Sequence, residues 1–205
     1  WYDMHHFNGF KDPEAVEFRK RLAGILQAAG DLGIGISFVV VGNEGYANSP
    51  SDIRSKGGQR GGYYACQICP SKPGGLDYRL RIHSEMMDWM RPLTPAFLWI
   101  WPFDQGGCDC ADCRPWATKG FLKCAKPIAS QASKKLTGVK IILSNWFYRG
   151  NETRELGKIL SADKPWVDYV MGPVPGTKTP AVNFPEISML CGRPWGGFGA
   201  IPVPY

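Results

Sequence analysis

The 205-residue sequence predicts an α/β protein whose parallel sheet forms a (β/α) barrel of the TIM type, with about six of the eight strands present. Three observations lead there. Apolar runs of strand length alternate with amphipathic helical stretches, the pattern that right-handed crossovers turn into a parallel sheet. Each run ends in polar or aromatic residues, as in Val41-Gly42-Asn43-Glu44 and Trp101-Pro102-Phe103-Asp104. No G-x-G-x-x-G turn follows the first strand, which disfavours an open nucleotide-binding sheet.

Trp1 to Phe10 reads as a loop leaving a strand end. Asp12-Pro13-Glu14 opens a helix, with a capping acid, a proline in the first turn and a carboxylate near the positive end of the dipole. Phe18, Leu22, Ile25, Leu26 and Ala29 share one face of it, Arg19-Lys20-Arg21 forms a solvated face, and Gly30 stops it. Gly33 to Val41 is a buried strand. Residues 47–62 form a long glycine-rich, basic loop before a short strand from Tyr63 to Cys69. A helix from about Gly75 to Met90 aligns Leu76, Leu80, His83, Met87 and Met90, which makes His83 a packed, hydrogen-bonded histidine.

Phe97 to Trp101 is a continuous apolar run, a strand buried on both faces, and Pro102 ends its ladder. A helix ending near Leu136 and a strand from Val139 to Leu143 follow. Next come a helix over about Thr153 to Ser161, a strand from Trp166 to Met171 and a last short strand from Phe184 to Met189. The tail from Gly192 to Tyr205 is rich in glycine, proline and aromatics. No shift of composition marks a second domain, so residues 1–205 are expected to form one domain. The missing βα units are expected either from a longer chain or from a second copy, in a homodimer that completes the barrel.

A hydrophobic fraction of 44% with 20% charged residues is globular. The net charge of +6 comes without any run of five Lys or Arg, which argues against a nucleic-acid partner. No apolar stretch approaches the roughly 20 residues of a membrane span. No leader is visible, but the chain starts without Met, and a secreted or periplasmic location is favoured. Eight Trp suit either sugar stacking or a large core.

Three motifs carry the chemistry: Val-Gly-Asn-Glu-Gly-Tyr at 41–46, Trp-Pro-Phe-Asp-Gln-Gly-Gly-Cys at 101–108 and Phe-Pro-Glu-Ile-Ser-Met at 184–189. With these the chain resembles the (β/α)8-barrel glycoside hydrolases, nearest to the bacterial hexosaminidase-like and α-glucuronidase-like groups. Some of those place an acid at a strand end before a C-x-C-x-x-C loop, as Asp104 and Cys108, Cys110 and Cys113 do here. The resemblance implies cleavage of poly- or oligosaccharides with no cofactor required. Glycoside cleavage needs two carboxyl groups flanking the scissile bond. Asp104, Glu186 and Glu44 lie at three expected strand ends. His5, His6, Asn43, Gln105 and Asn145 would hold hydroxyls. Tyr46, Trp101, Trp146, Tyr148 and Trp195 would stack on pyranose faces, while Trp99 and Trp89 fit core positions. At 205 residues the chain is shorter than a full barrel, which takes about 250. A non-catalytic carbohydrate-binding barrel is the alternative.

Seven cysteines leave at least one unpaired. Cys108, Cys110, Cys113 and Cys124 have the thiolate count of a structural zinc site, and Cys66-x-x-Cys69 is a rival source of the second pair. A zinc- or thiol-centred protein built on this loop, a disulfide and plain buried thiols stay open. Cys191 is expected to be a lone packed thiol.

Overall fold

The computed structural model describes residues 4–55, 66–102, 107–146, 148, 150–162, 165–171, 184–189 and 202–203. Helix α1 spans Pro13–Asp31, β1 Ser37–Val41, α2 Gly75–Met90, β2 Phe97–Trp101, α3 Phe121–Lys135, β3 Lys140–Leu143, α4 Gly150–Ala162, β4 Tyr169–Met171, β5 Glu186–Met189 and β6 Pro202–Val203. Strands β1 to β5 lie side by side in sequence order, all parallel, and β6 pairs antiparallel with β5. The α/β class and the parallel sheet are therefore as expected. Among the described residues the sheet is open: β1 has only β2 beside it.

Of the expected strand from Tyr63 to Cys69, residues 63–65 lie outside the described residues, and 66–69 are not part of this sheet. Its described end, Gln67 and Ile68, makes isolated antiparallel bridges to Glu44 and Arg54. The backbone of this segment is used up by the loop after β1: Ile68 N–H donates to Asn43 at 2.8 Å, and Gly45 N–H donates to Cys66 at 2.9 Å. Pro202–Val203, in the glycine-, proline- and aromatic-rich tail, forms β6.

The two faces of the sheet differ. On one, Phe38, Val40, Leu98, Ile100, Ile141, Leu143 and Val170 join Ile82, Met86, Met87 and Met90 of α2, Phe121, Ile128 and Ala132 of α3, and Leu156 and Leu160 of α4 in a single core. On the other, the register row Val39, Trp99, Ile142 and Tyr169 carries a separate apolar cluster of Trp99, Trp101, Ile142 and Met171, flanked by Val41 and Trp146. Strand β2 is buried on both faces, as its unbroken apolar run predicts.

Local signals explain the helix limits. Asp12 caps α1 by accepting from Glu14 N–H at 2.9 Å. Its packing is shallower than the periodicity suggested: Ile25 is 66% exposed, while Ala15 and Arg19 are buried. Arg19 is not on a solvated face. It donates to the Phe10 carbonyl at 2.6 Å, and its guanidinium lies over the Phe10 ring, 3.7 Å from the centroid. In α2 the buried stripe runs Arg79, Ile82, His83, Met86, Met87, Met90, so a charged side chain occupies a core position that hydrophobic periodicity alone skips. Among the described residues no helix is long and apolar enough to cross a membrane.

Ile100, at the centre of the helix-side core, should cost about 2–5 kcal/mol when truncated to Ala, whereas Ile25→Ala should change stability by less than about 0.5 kcal/mol. Urea denaturation of the two variants checks both values.

Candidate functional site at the strand ends

Because β1 to β5 are parallel, their C-terminal ends share one edge. The loop after β1 carries Asn43, Glu44 and Tyr46, and the loop after β3 carries Ser144, Asn145 and Trp146. The N-terminal segment returns to the same edge, where Ala47 N–H donates to the Phe7 carbonyl at 2.9 Å, and His6 sits exposed in its 3-10 turn. Asp104, Gln105 and Trp195 lie outside the described residues, as does the side chain of His5. Glu186 is the first residue of β5 rather than its last, in register with Val170, because β5 starts one row from the end of β4. The description of β5 stops at its backbone.

Glu44 is 3% exposed; burial lowers the Arg79 pKa, and the nearby Cys124 and then Glu44 act against that. Arg79 is wholly buried and finishes β1: its Nε donates to the Gly42 carbonyl at 3.2 Å and its Nη2 to the Val41 carbonyl at 2.9 Å. Nη2 also lies 2.7 Å from His83 Nε2. A guanidinium can only donate, so His83 accepts at Nε2 and carries its proton on Nδ1, which is buried without a partner. Burial, and then the Arg79 charge, hold the His83 pKa well below 6.5. His83 is thus the packed, hydrogen-bonded histidine expected, and Arg79 is the functional neighbour that sequence reasoning missed. The available signal was its place at helical spacing, four residues before His83.

The other polar groups at this edge are also buried. Asn43 Nδ2 donates to Gln67 Oε1 at 3.4 Å, which leaves Asn43 Oδ1 and Gln67 Nε2 enclosed with no partner: an acceptor and a donor held side by side. Tyr46 is buried in the helix-side core, and so is Tyr148, whose hydroxyl donates to the Ala117 carbonyl. Both rings serve packing here. Trp101 and Trp146 stand together on the opposite face, ring centroids 5.5 Å apart, with Trp146 half-buried.

The sulfurs of Cys69, Cys108, Cys110 and Cys113 all lie within 4.8 Å of one another, a group able to hold a metal ion. Cys69 Sγ is 3.8 Å from Cys110 Sγ and 3.9 Å from Cys113 Sγ. Cys124 is not a member. It faces inward from α3, where burial lifts its pKa to about 12. Cys66 is not a member either. Residues three apart on extended backbone point to opposite sides, so Cys66 packs with Ile53 and Ile68 while Cys69 turns to the loop after β2. None of the six described cysteines is disulfide-bonded.

Tight backbone packing aims these sulfurs. Gly75, the first residue of α2, lies against the Cys69 carbonyl so closely that a Cβ would stand 2.1 Å from its oxygen. Gly107 lies flat on the Trp116 indole, where a Cβ would come within 1.7 Å of the ring. Cys113 and Arg114 N–H groups both donate to the Cys110 carbonyl, at 3.0 and 3.1 Å, closing a tight turn around the C-x-x-C pair. An Asp109–Arg114 ion pair spans that turn. Burial raises the Cys69 and Cys113 pKa values, while Cys110, despite some burial, is pulled below its ordinary value by hydrogen bonds from Cys108, Cys113 and Cys69.

No known family model matches the chain, and no curated protein or solved structure is significantly similar to it.

The neutral, enclosed His83 makes stability pH-dependent. The unfolded chain takes up a proton near pH 6.5 that the folded one refuses, so stability should fall as pH drops below 6.5, by up to about 1.4 kcal/mol per unit. Urea titrations at pH 7.5 and 5.5 should show a larger loss for the native chain than for His83→Asn.

Proposed function

We propose that the chain is the larger part of a (β/α)-barrel glycoside hydrolase, cleaving poly- or oligosaccharides between carboxyl groups at its strand ends. The observation that supports this best is the winding of the sheet. Strand order runs from β1 to β5 without reversal, the helices pack on one face, and the other face is apolar and rich in indole. A doubly wound sheet reverses its order and carries helices on both faces; a barrel keeps its order and carries them outside only. Barrel enzymes draw their reacting groups from several strand-end loops, and Glu44, Asp104 and Asn145 belong to three consecutive ones.

In this reading Asp104 is the proton-transferring group, with Glu186 or Glu44 as its partner carboxylate. Asn43, Gln105, Asn145, His5 and His6 hold hydroxyls. Trp101, Trp146 and Trp195 offer ring faces to the sugar. The cleavage needs no cofactor.

A second reading concerns the cysteines. Zinc bound at about 2.3 Å to each of four thiolates sets the sulfurs roughly 3.8 Å apart. Two of the separations, 3.8 and 3.9 Å, match that spacing, and all four sulfurs lie within 4.8 Å of one another. We take the group as a structural zinc centre. Four protein ligands leave no open position for substrate, so its role is to clip the loop after β1 to the loop after β2.

Asp104→Asn keeps the shape of the acid and removes its proton. Turnover of aryl-glycosides by the chain should fall about 10²- to 10⁴-fold. An unchanged rate would refute the assignment, and glycan binding by a folded chain that never turns over would mark a carbohydrate-binding barrel instead.

A further inference from the structure

We propose that Ser71 and Lys123 form a relay that feeds a hydrogen bond to the Cys113 sulfur, orients it toward the other three cysteines and strengthens metal binding by the centre. The inference rests on the zinc reading above and adds two residues to it.

The chemistry of the ammonium group fixes the direction of the first bond. Lys123 Nζ lies 2.8 Å from Ser71 Oγ and 3.0 Å from the Asp112 carbonyl. Ser71 Oγ lies 3.2 Å from Cys113 Sγ. An ammonium group has no lone pair, so Lys123 must donate to the serine oxygen. The hydroxyl proton of Ser71 is then available for donation to Cys113 Sγ. A metal-bound thiolate sulfur carries no proton, so there Ser71 is the donor and the bond fixes the sulfur's position.

Electrostatics gives the reason for such a device. Four thiolates around a divalent cation carry a net charge of −2, and two of the four residues, Cys69 and Cys113, are fully buried. The nearby arginine, Arg114, is already paired with Asp109. Two lysines of the helical stretch 116–135 reach carbonyls of the cysteine loop. Lys119 Nζ donates to the Ala111 carbonyl at 3.0 Å, bracing the turn, and Lys123, one helical turn on, reaches both Asp112 and Ser71. Ser71 lies only two residues after Cys69, so the relay links both sides of the clip. Outer partners of this kind orient metal ligands, and their loss typically costs about 10- to 100-fold in affinity.

The test is zinc affinity of the intact chain, read by competition with a chromophoric chelator, alongside the sulfur-to-metal charge-transfer band of the cobalt(II)-loaded form. Ser71→Ala should weaken zinc binding about 10-fold or more and shift the cobalt band, and Lys123→Met should weaken it in the same direction. Ser71→Thr and Lys123→Arg, which keep the donors, should restore tight binding. Wild-type affinity in both Ser71→Ala and Lys123→Met would overturn the relay and leave the zinc centre standing. Equal losses in the donor-keeping and donor-removing variants would reduce both residues to packing and overturn it too. A native chain that takes up no zinc would remove the centre and the relay together.

Discussion

A parallel strand that stops must hand its last carbonyls to something, and at the end of β1 that something is one buried guanidinium. Arg79 takes the carbonyls of Val41 and Gly42 and leans on His83. An unpaired buried charge is among the most costly features a fold can hold, so each of these groups makes the others necessary. The loop after β1 therefore leaves the sheet in one defined direction. It is this direction that carries Cys69 to the sulfurs of the next loop.

The edge is built in two tiers. Next to the sheet, polar side chains are enclosed: Asn43 against Gln67, and Arg79 against the β1 carbonyls. Beyond it, the four cysteines join a loop after β1 to one after β2, with α2 starting hard against Cys69 and Trp116 pressed on Gly107. A fixed edge is what a site for rigid, hydroxyl-rich ligands requires, since positioning errors of an ångström are expensive in catalysis. The indoles of Trp101 and Trp146 on the helix-free face would extend such a site inward.

Much of this was legible in the residues. The unbroken run Phe97 to Trp101 announced a strand covered on both faces, and Asp12-Pro13-Glu14 announced a helix start. Alternating elements gave the parallel sheet. What escaped was set by contacts distant in sequence. Arg79 reads as surface charge until the β1 carbonyls are placed beside it. Arg19 likewise reads as solvated until Phe10 folds under it. Of the expected cysteines, Cys108, Cys110 and Cys113 gather, and Cys69 of the rival Cys66-x-x-Cys69 pair joins them in place of Cys124, because helix α3 turns Cys124 into the core while an extended segment turns Cys69 to the loop. Spacing along a chain does not report which way a strand residue faces once a bridge to another loop fixes it. Glu186 was expected at a strand end and begins β5 instead, since strand stagger depends on the neighbour's register.

The account stands most directly on the four sulfurs, and X-ray absorption at the metal edge of the purified chain tests them. The predicted result is one zinc per chain with four sulfur neighbours at about 2.3 Å, lost in Cys69→Ser and kept in Cys124→Ser. A shell of nitrogen and oxygen ligands, or the same four-sulfur shell in Cys69→Ser, would contradict it.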